Sequence, residues 1–185
     1  MKRTALVVAA VVMTVCSSGA RAQKPEMKHE EQVSKVTGTP QWDTLKSLVG
    51  RWEGYTEKDG KKYETRIEIR MTGDGSAVMH WMDQGTPHEM VTMFHMDKEE
   101  LVATHYCSAH NQPRFKAAPS NAANQVVFAF MDGTNIRPGD GHMARLVITA
   151  LDADHHDEEW GYEQNGEIHS GTFHMTRVKA AASKP

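Results

Sequence analysis

Eleven histidines occur in this 185-residue chain, all of them after residue 22. Imidazole can move protons, ligate metals and hold buried hydrogen bonds near neutral pH, so their placement is the first thing to weigh. The run Thr104-His105-Tyr106-Cys107-Ser108-Ala109-His110-Asn111-Gln112-Pro113-Arg114 concentrates hydrogen-bonding heads ahead of a proline. That composition suits a cavity mouth that orients a ligand. Cys107 lies two residues from His105, but two residues on one face of a strand do not make a base–nucleophile pair. A buried structural thiol is the better account. Met79-His80-Trp81-Met82 and the Met90, Met93, His95, Met96 set offer thioethers and imidazoles, the soft ligands of copper(I). On a strand Met90 and Met93 face opposite sides, however, so the spacing loses its force and core packing is the better explanation, with a periplasmic copper binder as an alternative. The acidic and histidine-rich run from Asp152 to Glu159 could grip a cation, yet it lacks the glycine pattern of a calcium loop and reads as a solvated turn. His142 and Glu158 could exchange a proton, but they fall toward opposite ends of the hairpin that carries them. The chain therefore reads first as a binder, with an enzyme acting on a bound small molecule as the lesser alternative.

The elements that must position these groups are short. From Trp52 onward, β-rich runs alternate with turn signals such as Asp59-Gly60, Gly73-Asp74-Gly75 and Asn165-Gly166. They predict about ten strands, near 52–57, 61–71, 76–83, 88–96, 100–107, 113–118, 125–131, 142–151, 155–163 and 168–177. Consecutive hairpins make an antiparallel up-and-down meander, and closing it into a barrel removes both exposed edges. The fold class is all-β, with one short helix before the first strand, predicted from the helical spacing of Trp42, Leu45, Leu48 and Val49 and its stop at Gly50. Alternation places Met90 and Phe94 inward on the fourth strand, His105 and Cys107 on the fifth and Phe128 on the seventh. It places His142 inward on the eighth, Glu158, Trp160 and Tyr162 on the ninth, and His169 on the tenth. Apart from Cys107, these residues are the expected lining of a cavity for a small, mostly apolar molecule with a few polar anchors.

The ends of the chain bear on compartment. Lys2 and Arg3, the apolar run Ala5–Val15 and Ala20-Arg21-Ala22 have the order of a secretory signal peptide, too short in its apolar part to anchor permanently. Cys16 lacks a preceding small residue, which argues against lipid attachment. The expected organisation is a signal peptide at 1–22, a flexible tether at 23–40, the barrel domain at 41–178 and a disordered tail at 179–185, in a periplasmic or secreted protein. Cleavage leaves Cys107 as the only cysteine, so no internal disulfide can form. It also leaves 18 basic against 24 acidic residues, a formal charge of −6, which offers no basic footprint for nucleic acid. No integral membrane segment is expected after cleavage.

Gly50-Arg51-Trp52 leads from the short helix into the first strand, and Arg177 ends the last. This pair resembles the G-x-W tripeptide and closing arginine of the calycins, the lipocalins, fatty-acid-binding proteins and nitrobindins. The resemblance covers about residues 42–177 and implies that Arg177 packs over Trp52 to plug one barrel end. Ten strands and no disulfide are closer to fatty-acid-binding proteins and nitrobindins than to lipocalins. The hairpin at Thr56–Lys61 leaves no room for the two capping helices of the former. A nitrobindin likeness further implies haem held by a histidine shortly before the final arginine, where His169 and His174 stand.

Overall fold

A computed structural model describes residues 38–179. The expected signal peptide, most of the tether and nearly all of the tail lie outside the described residues. Helix α1 (Pro40–Ser47) precedes ten strands. These are β1 (Gly50–Lys58), β2 (Lys61–Thr72), β3 (Ala77–Met82), β4 (Met90–Asp97) and β5 (Glu100–Tyr106), followed by β6 (Gln112–Ala118), β7 (Gln125–Thr134), β8 (His142–Ala150), β9 (His155–Gln164) and β10 (Glu167–Arg177). Each strand pairs antiparallel with the next and β10 returns to β1, so the barrel is closed. Turn chemistry sets the meander: Asp59-Gly60 and Asn165-Gly166 both hold positive φ at the two central positions of their hairpins, as the tightest turns require.

The helix begins two residues before the apolar spacing predicts. Thr39 caps it by accepting from the Trp42 amide at 3.2 Å, and Pro40 fills the first turn, where a missing N–H costs nothing. The Thr-Pro pair thus starts the helix and does not end the tether. Trp42, Leu45 and Leu48 are buried in the same core as Trp52, Ile67, Phe94, Phe115, Phe128 and Leu146, so α1 closes one end of the barrel.

Trp52 and Arg177 hold that end together. They are register partners on β1 and β10, and the guanidinium lies 4.1 Å from the indole centroid. The arginine also donates to Ser47 O at 3.0 Å, Val49 O at 2.8 Å and Ala153 O at 2.8 Å. It therefore caps the carbonyl end of α1 with a positive charge while covering Trp52. Trp52 Nε1 completes the plug by donating to Leu48 O at 2.8 Å. Gly50 makes this possible: its φ of 151° lies where side chains rarely go, and a Cβ there would overlap Arg177 Nη1.

Trp52→Ala is expected to cost about 3–5 kcal/mol of stability, the value for emptying a buried aromatic site. Gly50→Ala is expected to cost roughly 1–3 kcal/mol through backbone strain alone, with more from displacing Arg177. Equilibrium urea unfolding measures both, and a Trp52→Ala variant as stable as the wild type would contradict the plug.

Candidate functional site

Alternation on β3 turns Val78, His80 and Met82 inward, and on β9 it does the same for His156, Glu158 and Trp160. Strands β2, β1 and β10 lie between β3 and β9 along the shorter way round. Even so, His80 Nε2 reaches across the lumen to both Glu158 oxygens, at 3.0 and 3.1 Å. His156 Nε2 approaches the same carboxylate at 3.0 Å, and Trp160 Nε1 donates to it at 3.1 Å. Glu158 is 0% exposed, so its charge survives only because three donors surround it. Burial pushes its carboxyl up, but the charge of His80 and the hydrogen bond from His156 outweigh this and hold it well below the usual carboxylate range.

Next to this cluster is a third imidazole with different wiring. His80, Thr92 and His105 are consecutive register partners across β3, β4 and β5. Thr92 Oγ1 lies 2.8 Å from His105 Nδ1, whereas the buried Nε2 of His105 has no hydrogen-bond partner. Burial, followed by the charge of His80, pushes the His105 pKa down to about 3, so the ring is neutral at physiological pH. The indole of Trp160 packs 4.8 Å from it. Both rings border an inner chamber of about 30 Å³, whose other walls are His80, Met82, Met90, Met143 and Phe173. The chamber lies toward the rim opposite the Trp52 plug, below the loop in which Ser108 Oγ donates to Met90 Sδ at 3.7 Å.

The residues expected to line one cavity are distributed over several places. Met90, His105 and Trp160 border the chamber, with Glu158 behind them. Phe94 and Phe128 pack against each other at 5.2 Å in the core instead. His142 stands at the rim against Phe130, ring to ring at 4.4 Å, with neither nitrogen bonded, and Tyr162 abuts Gly141 beside it. His169 is corrected outright: its side chain is 72% exposed. It has the inward parity of Phe173 and Met175, but β10 overhangs the rim at that height, so the face it shares has no interior behind it. His174 lies on the outer wall, 2.8 Å from Asp157. His142 does not meet Glu158, whose imidazole partners are His80 and His156.

Cys107 lies just past the end of β5 in a turn, not inward on the strand. Burial pushes its thiol up, the opposite of what a nucleophile needs. His80, Met82, Met143 and Phe173 also line the chamber and are absent from the lining expected from the sequence. Strand alternation on β3 could have found His80 and Met82. Met143 could not have been found that way, because a bulge between Met143 and Arg145 shifts the register of β8. A larger concavity of about 1000 Å³ lies on the outer face of β1–β3, but it is an open surface whose charges pair with one another, as in Arg51–Glu68 and Arg66–Glu53.

No protein-family model and no curated protein matches this chain. Among solved structures, the crystal structure of Rv2717c from M. tuberculosis is similar, with a TM-score of 0.51 and 15% identity over 76% of this chain and 99% of that one. At that identity the likeness concerns the fold alone.

A native imidazole held neutral makes the fold acid-sensitive. The unfolded chain takes up a proton on His105 below about pH 6.5 and the folded chain does not until about pH 3. Stability from this group is complete above pH 6.5 and is lost on acidification at up to about 1.4 kcal/mol per pH unit. Urea midpoints between pH 7 and pH 4 should show this slope, and His105→Leu should flatten it. An unchanged slope in the variant would contradict the assignment.

Proposed function

We propose that this protein is an exported, non-catalytic binding barrel of the calycin type, whose guest occupies the chamber bordered by His105 and Trp160. Export rests on the leader-like order of residues 1–22. The guest reading rests on one observation, that His105, a residue bordering the chamber, has a buried and unpartnered Nε2. Leaving such a group without a partner costs about 1–3 kcal/mol, a penalty that a bound partner removes.

The volume sets the scale of the guest. About 30 Å³ has room for an ion or a molecule of very few heavy atoms, well below the several hundred Å³ of a typical ligand pocket. Haem does not suit these residues: a porphyrin is many times larger than the chamber, and neither His169 nor His174 faces it.

Full-length chain purified without denaturation and examined by native mass spectrometry is expected to carry additional mass, with His105→Leu losing it while remaining folded by circular dichroism. Equal retention in both proteins would place the guest elsewhere and end this reading.

A further inference from the structure

The chemistry of the chamber wall is specific. Met82, Met90 and Met143 share it with His80, His105, Trp160 and Phe173, and no carboxylate or hydroxyl side chain is among these residues. Hard cations need oxygen ligands, and structural zinc takes thiolates, imidazoles or carboxylates. Thioethers with an imidazole make the set that selects copper(I), and of the two imidazoles here His105 has the unpartnered Nε2, since His80 Nε2 is bonded to Glu158. Resting on the reading of the chamber as the guest site, we propose that it binds one copper(I) ion, with His105 Nε2 and the Met82, Met90 and Met143 sulfurs as ligands and the Trp160 indole against the ion.

Four features of the site favour that ion. Met82 and Met90 are register partners on β3 and β4, so two thioethers enter the chamber side by side. Methionine is unbranched and has three rotatable bonds, so its sulfur can close on an ion without strand movement. The hydrogen bond between His105 Nδ1 and Thr92 Oγ1 fixes the ring and, with Nδ1 as donor, leaves the Nε2 lone pair for metal, the orienting contact that ligating histidines ordinarily have. The Trp160 indole, which borders the chamber, attracts a cation to its ring.

The bulge of β8 gains a role in this picture. It interrupts alternation between Met143 and Arg145, so Met143 can border the chamber while Ala144 and Leu146 remain buried in the wall. Met79 and Met93, by contrast, are register partners on the outer face, where Met79 Sδ meets Arg70. They serve as built-in controls, being thioethers of the same two strands turned the other way.

The test is anaerobic titration of the full chain with copper(I) against the chromophoric chelator bicinchoninate. Uptake of one ion per chain is expected, with no comparable uptake of zinc(II). Met82→Leu, Met143→Leu and His105→Leu should each weaken it at least about tenfold, and Met93→Leu should leave it unchanged. Methionine methyl NMR of the wild-type protein avoids dependence on variant folding: silver(I) should move the Met82, Met90 and Met143 signals and spare Met79 and Met93. The assignment is overturned by absence of one-to-one uptake, by equal loss in Met93→Leu and Met82→Leu, or by silver moving only the outer methyl signals. Should copper fail while His105→Leu still releases a different guest in native mass spectrometry, only the metal assignment falls. If both fail, the chamber is not a guest site.

Discussion

A carboxylate with no access to water dictates much of this barrel's interior. Glu158 can remain ionised inside only if donors reach it from several directions, and one strand cannot supply them all. His156 and Trp160 come from its own strand and His80 from across the lumen. The bond to His80 ties two walls separated in sequence by 78 residues and holds them at a fixed distance. A buried pair of this kind adds little net stability compared with an apolar core. It does specify register, because slipping β3 or β9 by one residue would send His80 or Glu158 to the outer face and orphan its partner.

That polar crossbar divides the lumen. On the side of α1 the inward residues are Phe94, Phe128, Val126, Leu146 and Ile148, all buried in the core. On the rim side the filling changes to methionines, Trp160 and His105, and the chamber opens among them. The fold is a closed ten-stranded barrel, and its large inward side chains leave a chamber of about 30 Å³ among them. Fold alone does not settle function here, and the chamber's size and donor set are what narrow it.

The strands were readable because turn chemistry and alternation agree. Asp59-Gly60 and Asn165-Gly166 announce their hairpins by residue type, and strand boundaries fall within two residues of those expected except at β7, which runs through Asp132-Gly133 to Thr134 instead of ending at 131. Facing was readable for the same reason, down to Glu158 and His105. Height within the barrel was not. His169 has the correct parity but stands above the rim, and period-two alternation carries no information about where a sheet stops having an interior. Partnership across the lumen was equally hidden, since the His80–Glu158 contact depends on how the closed sheet curves and not on any spacing along the chain. The early start of α1 at Pro40 was signalled by Thr39-Pro40, a capping pair that composition alone files with the tether.

The joining of β1 to β10 through Trp52 and Arg177 has a consequence for the order of synthesis. Polypeptides emerge amino end first, so α1 and β1 exist before any partner is present for the outer edge of β1. Every other strand can pair with its predecessor as it appears, since the meander is local. The seam alone waits, because the residue that covers Trp52 and caps α1 belongs to the last strand made. Until then, β1 presents an unpaired edge and an uncovered indole, the features that recruit chaperones or neighbouring chains. The barrel is therefore a zipper with its clasp at the final tooth, and truncation within β10 should cost far more than the length removed.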